Sequence, residues 1–256
     1  MVELKVIYAG DRDISVWVLE YLISAGTRPV ALLIPSEDRA SHTRDLRSLC
    51  SHLPPNAIME GKRFREQASV EYLEALAPDL IISVHFPYVV PIEVLSIPRI
   101  GALNLHPAFL PYNRGWHTPS WALLEETPIG ATLHFMDTGV DTGDIVHQRE
   151  YQPSPADTAH TLYKKLRKLE LDVFVEVWPS IADGRFQRRK QVGAGTVHRR
   201  SELFDPAVQE LALDESYPVR SLLRRLRALT TNDIKESAYF REDGKTYRVQ
   251  VSIAEE

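Results

Sequence analysis

The 256-residue sequence predicts an α/β protein. The expected fold is a mostly parallel, Rossmann-like sheet with helices on both faces, followed by a small α+β extension that ends in a β-hairpin. Three observations predict it. Short apolar, β-branched runs recur at Leu4–Ala9, Val30–Ile34, Asp79–Val84 and Ala102–Leu105. Segments with apolar residues at helical spacing separate them, as the crossovers of a parallel sheet require. After about residue 184 that alternation stops, and a basic, loop-rich stretch leads to one helix and a hairpin.

Each element follows from its own residues. Leu4–Ala9 reads as a buried strand ending at Gly10. In Ile14–Ala25, the residues Val18, Leu19, Leu22 and Ile23 fall at helical spacing, and Gly26 supplies the stop. Val30–Ile34 is a second strand, closed by Pro35. Helices are predicted over residues 41–52 and 70–76. Asp79–Val84 and Ala102–Leu105 are the third and fourth strands, and Thr132–Met136 and Ile145–Tyr151 are two more around a tight loop. The longest helix spans Thr161–Trp178, with Leu162, Leu166, Leu169, Val173 and Val177 on one face. Ser221–Leu229 is helical, and Tyr239-Phe240, a turn at Asp243-Gly244 and Tyr247–Ile253 form the hairpin. The expected organisation is a first domain over residues 1–184 and an extension over 185–256.

Composition narrows the function classes. The net charge of −5 argues against a general nucleic-acid binder, whose affinity needs many phosphate contacts. The charge is uneven, with Arg185, Arg188, Arg189, Lys190, Arg199 and Arg200 in one stretch and Arg220, Arg224, Arg225 and Arg227 in another. These are either solvated faces or a site for a phosphorylated substrate. The lone Cys50 excludes an internal disulfide framework. No run approaches the roughly 18 apolar residues of a membrane span, and the start lacks a signal-peptide pattern. The expectation is a soluble cytoplasmic protein. The first turn, Ala9-Gly10-Asp11-Arg12-Asp13, lacks G-x-G-x-x-G, so a nicotinamide cofactor has little support. No metal is expected.

Two segments carry chemistry. In Gly101–Gly115, Asn104 and His106 are two apart, which on a strand puts a carboxamide and an imidazole on one face. Pro107 favours an extended backbone at His106. In Gly130–Asp144, Asp141 lies in a loop between two strand-like runs, flanked by Gly139 and Gly143. Singly, each reads as a satisfied strand-end group or as turn chemistry. Their combination is more specific. Asn-x-His-Pro, then Leu-Pro-x-x-Arg-Gly, then His-x-x-Asp-x-x-x-Asp-Thr-Gly-Asp resembles the folate-dependent formyltransferase family over roughly residues 1–180, most strongly over 78–150.

That resemblance implies transfer of a formyl group from 10-formyltetrahydrofolate to a primary amine, with Asn104, His106 and Asp141 as the matching catalytic trio. Asn104 or a protonated His106 would stabilise the oxyanion of the tetrahedral intermediate. Either His106 or Asp141 would take the amine proton. The resemblance further implies a donor slot beside Phe86, Tyr88, Val89, Asp137 and Asp141.

The tail is similar to that of sugar N-formyltransferases, which act on nucleotide-linked amino sugars (dTDP- or GDP-linked) and often dimerise through closing strands. A homodimer through the C-terminal hairpin and a role in lipopolysaccharide or glycan synthesis follow as expectations. Arg114, Trp116, His117, Arg199 and Tyr239 are candidate acceptor-side residues; Gly115-Trp116-His117-Thr118-Pro119 departs from many relatives and bears on which sugar is taken. The alternatives are a shortened methionyl-tRNA formyltransferase and a non-catalytic folate- or nucleotide-binding module.

Overall fold

The computed structural model describes residues 4–256. The chain forms two compact units. The first runs through His106 and takes in Thr132–Gln148 and Glu170–Gln191; the second is built from Pro107–Ala131, Arg149–Leu169 and Val192–Glu256. The units therefore interleave along the chain, whereas the sequence reading drew one boundary near residue 184.

The strand and helix alternation is present. In chain order come β1 (Val6–Gly10), α1 (Arg12–Ser24), β2 (Pro29–Ile34), α2 (Thr43–Leu49), β3 (Ile58–Glu60), α3 (Gln67–Ala75), β4 (Leu80–Val84), α4 (Ile92–Leu95) and β5 (Gly101–His106). There follow β6 (Arg114–Gly115), α5 (Thr118–Glu125), β7 (Ile129–Phe135), β8 (Ile145–Tyr151), α6 (Ala159–Ala182), β9 (Val197–His198), α7 (Pro206–Gln209), α8 (Val219–Ala228), β10 (Ala238–Glu242) and β11 (Lys245–Val249). The sheet has seven strands in the order β3-β2-β1-β4-β5-β7-β8. Its pairings from β3 to β5 are parallel, and β5 pairs antiparallel with β7. The order reverses at β1 and β4, where doubly wound sheets open a crevice at the carboxyl ends of their strands.

Strand alternation explains the double-sided burial. Ile7, Ala9, Ala31, Leu33 and Ile81 join one cluster with Met59, Phe64, Leu73 and Val94. Their neighbours Tyr8, Leu32, Ile34 and Ile82 are equally buried, on the opposite face by strand alternation. Strands buried on both faces read as continuous apolar runs, which is why these four were legible as strands. Helix α1 packs near α6: the rings of Tyr21 and Phe174 meet at 6.2 Å, and Phe174 stacks on Trp178 at 5.5 Å.

The second unit has its own small core of Leu203, Leu229 and Ala238, with Trp121, Leu124 and Leu226 packed against it. Strands β10 and β11 form the expected hairpin, turning through Asp243 and Gly244 at φ of +49° and +73°, as a two-residue turn of this hand demands. Pairing stops at Val249 rather than Ile253. The short elements β3, α4, β6, β9 and α7, and the helix α5, were not read from sequence. Strand β3 is only three residues long, and α5 begins at Thr118-Pro119, where proline is suited to a helix start.

Candidate active site

Strand β5 sets the site. Asn104 and His106 project from one face, as their spacing predicted. The antiparallel register aligns Asn104 with His134 and His106 with Thr132 of β7. Asp141 arrives from the loop after β7, in a left-handed backbone with φ of +52°. Aspartate is among the few residues that enter this region readily.

The loop that delivers Asp141 is tied down. Asp137 Oδ1 accepts hydrogen bonds from Gly139 N at 2.9 Å and Thr142 Oγ1 at 2.6 Å. Gln191 Nε2 donates to the carbonyls of Asp141 and Gly143, both at 2.8 Å. A Cβ on Gly143 would sit 1.9 Å from the Phe135 carbonyl oxygen, so only glycine lets the loop close on β7.

The result is a compact polar cluster. One Asp141 oxygen lies 3.6 Å from His106 Nε2 and the other 3.5 Å from His134 Nε2. Asn104 Nδ2 stands 3.4 Å from Asp141 Oδ1 and 3.3 Å from His134 Nε2. The His134 tautomer follows from its partners. Its Nδ1 lies 2.7 Å from the Phe135 carbonyl, which can only accept, so Nδ1 carries a proton, and in that neutral tautomer Nε2 would be an acceptor. Asn104 thus turns its amide nitrogen toward two acceptors. The contacts among Asn104, His106, His134 and Asp141, at 3.3 to 3.6 Å, are long for hydrogen bonds, and such contacts commonly tighten or exchange when substrate enters. His106 and His134 meet edge to face at 6.2 Å. His134 is 1% exposed, and sequence reading had it only as a member of a motif. Its pairing with Asn104 depends on the β5–β7 register, which no local pattern reveals.

The structure treats the expected donor-side residues differently from one another. Phe86 and Tyr88 pack with Phe64, with ring centroids 5.5 and 6.3 Å from it, and Tyr88 Oη lies 3.0 Å from Ser36 Oγ. Val89 is 79% exposed, and its carbonyl accepts from Arg65. Asp137 is the loop staple just described. A recess of about 290 Å³ opens beside the same loop, lined among others by Leu95, Ala102, Met136, Asp137, Thr142 and Arg188. It lies at the start of β5 rather than at its carboxyl end, and the trio does not line it.

The acceptor-side candidates belong to the second unit. Trp116 is half-exposed, with the Arg200 guanidinium over its ring at 5.4 Å and the His117 ring at 6.4 Å. The sequence reading has Arg200, with Arg199, as a candidate to meet the phosphates of a nucleotide-linked substrate. Burial holds the His117 pKa below its usual value, against the pull of Glu236 at 3.6 Å. Arg114 pairs through β6 with Val197, and Arg199 is exposed. Tyr239 is buried, its hydroxyl donating to Glu210 at 3.0 Å and its ring flanked by Arg241 and Arg248.

No group of three or more His, Cys, Asp or Glu side chains that could hold a metal ion occurs among the described residues. No helix among them is long and apolar enough to cross a membrane.

Comparison with known proteins follows the same lines. The formyl transferase family profile matches residues 12–178, and that of an N-formyltransferase dimerization C-terminal domain matches 205–255. The methionyl-tRNA formyltransferase of Agathobacter rectalis is 30% identical over 255 residues, covering 96% of this chain and 79% of the relative. That of Acidobacterium capsulatum is 35% identical over 201 residues, covering 73% of this chain and 62% of the relative. A sugar N-formyltransferase from Shewanella sp FDAARGOS_354 superposes with a TM-score of 0.81 at 20% identity, over 98% of each chain. The formyltransferase PseJ from Anoxybacillus kamchatkensis, solved with UDP-4,6-dideoxy-4-formamido-L-AltNAc and tetrahydrofolate, gives 0.58 at 25% identity over 77% of this chain and 87% of its own. With the Asn104–His106–Asp141 cluster and a family match over more than half its length, the chain belongs to the formyl transferase family.

Proposed function

We propose that this protein transfers a formyl group from 10-formyltetrahydrofolate to the primary amine of a nucleotide-linked amino sugar. The observation that carries the chemistry is the convergence of an amide donor, an imidazole and a carboxylate within 3.6 Å at one strand end. Asn104 donates to the formyl oxygen as it gains charge; one such donor typically contributes about 3 kcal/mol to the transition state. His106 accepts the proton that the attacking nitrogen sheds, and Asp141 holds the resulting imidazolium. His134 and Asp141 keep the Asn104 amide facing the reacting group. The folate donor is supported by PseJ, which binds tetrahydrofolate.

The acceptor reading rests on the second unit. The C-terminal match is to the dimerization domain of N-formyltransferases, and PseJ carries a UDP-linked formamido sugar. Trp116 with Arg200 offers an aromatic face and a cation, which suit a base and a diphosphate. The same match supports a homodimer, with the hairpin β10–β11 as the contact. The relatives named methionyl-tRNA formyltransferase favour a second reading, in which the amine belongs to an aminoacyl-tRNA. The net charge of −5 weighs against it.

The test is a panel of dTDP-, GDP- and UDP-linked 3-amino and 4-amino sugars with donor and enzyme, read by mass spectrometry. Gain of one formyl group on a sugar nucleotide is expected. Donor consumption with no sugar product overturns the acceptor reading.

A further inference from the structure

Beyond the trio, a buried pair stands at the same end of the sheet. Glu170 lies inside α6 with its side chain 0% exposed, and its oxygens stand 2.9 and 3.1 Å from His85 Nε2. A carboxylate with no access to water is retained only when hydrogen-bonded or paired, so His85 must supply a proton to it. His85 follows β4 directly. The register aligns Val84 with Leu105, which sets His85 level with His106 on the neighbouring strand. His85 also has φ of +52°, a left-handed backbone that bends the chain at the end of β4.

The segment Phe86–Pro91 follows that bend. Two of its side chains are anchored by packing, with Phe86 and Tyr88 against Phe64. Val90 is buried, while Val89 stands 79% exposed. The segment is thus packed through Phe86 and Tyr88, and the residue that precedes it, in a left-handed backbone, is hydrogen-bonded to the buried Glu170. Strain of this kind persists where surroundings over-determine it, and it concentrates at ligand sites.

We propose that His85 and Glu170 are positioning residues that fix the start of this segment for the formyl donor, without touching the reacting atoms. The inference rests on the donor reading given above. The variants are His85→Asn, which tolerates a left-handed backbone but is too short to reach Glu170, and the double variant His85→Asn/Glu170→Leu, which leaves no buried unpaired carboxylate. Glu170→Gln keeps the shape and a hydrogen-bond partner and serves as the conservative rescue.

The readouts are the Kd for 5-formyltetrahydrofolate, KM for the donor, kcat at saturating donor, and Tm. Wild-type binding of 5-formyltetrahydrofolate tests the donor reading itself and separates its failure from that of the inference. The expectation for His85→Asn and for the double variant is a rise of about tenfold in Kd and KM, the loss expected of one charged hydrogen bond, with kcat within about twofold. Glu170→Gln should stay within about threefold of wild type in Kd, a loss under 1 kcal/mol. A merely structural role would lower Tm while the folded protein bound 5-formyltetrahydrofolate as wild type does, and that result overturns the inference. So does a fall in kcat at unchanged KM. Should the double variant fail to fold, His85→Asn alone carries the same readouts.

Discussion

In the proposed mechanism Asn104 is the residue on which the rate depends most. Its amide nitrogen faces His134 and Asp141. Asn104→Ala is expected to lower kcat by about 100-fold or more, the usual cost of one oxyanion donor. The change should leave donor KM near wild type. His134→Leu should cost less, about tenfold in kcat, because it removes an acceptor that orients Asn104 rather than a group that meets substrate. Steady-state kinetics of the two variants would check this ranking; equal losses would mean that His134 touches the reacting atoms. At this scale the sequence was informative but incomplete. The trio stood out because Asn-x-His and the Asp-Thr-Gly loop are short, local patterns. His134 and Glu170 did not, because each acquires meaning only through a partner brought near by the fold, Asn104 across the sheet and His85 85 positions away.

Elements determine whether the residues arrive. The loop from β7 to β8 carries Asp141 into place only because Gly143 has no side chain. Gly143→Ala would drive a Cβ into backbone atoms of Phe135 at 1.9 and 2.7 Å. We expect it to cut kcat by about tenfold or more with a modest loss of stability, since displacement by about an ångström can cost that much; near-normal turnover would mean the loop is free to move.

The turn before α6 offers an independent check on stability. Burial opposes the Asp157 carboxylate, but hydrogen bonds from Lys165 at 2.6 Å, Ser154 N at 2.9 Å and Thr161 at 2.9 Å overcome it and hold its pKa below 3.8. A carboxylate depressed on folding contributes stability that is present above its unfolded pKa and lost as pH falls through the folded one. Asp157→Asn is therefore expected to cost about 1–3 kcal/mol at neutral pH, and to make the protein less sensitive to acid from about pH 4 downward. Denaturant unfolding at several pH values would measure it, and a wild-type acid response in the variant would count against the assignment.

The strands of the sheet were readable from sequence because burial on both faces leaves continuous apolar runs. Strand β3, with three residues, is too short to show a period, and α5 was hidden among the prolines and glycines around it.

At the scale of the whole molecule, the expected fold class stands. The two compact units exchange chain at residues 106, 131, 148, 169 and 191, a pattern set by tertiary contacts that composition does not register. The trio belongs wholly to the first unit, and Trp116, His117 and Arg200 to the second. The hairpin presents Tyr247, 43% exposed and stacked on Phe240 at 5.2 Å. If it is the dimer contact, light scattering should give a dimer for the wild type and a monomer for Tyr247→Glu. A variant that stays dimeric would move the contact elsewhere.

The most direct test of the account is a competition. Enzyme, limiting 10-formyltetrahydrofolate, a mixture of nucleotide-linked amino sugars and initiator methionyl-tRNA are combined, and the fate of the formyl group is followed by mass spectrometry. The account predicts a formamido sugar nucleotide as the product, with formation abolished by Asn104→Ala. Formyl-methionyl-tRNA as the sole product would contradict the acceptor assignment, and undiminished transfer by Asn104→Ala would contradict the chemistry assigned to the site.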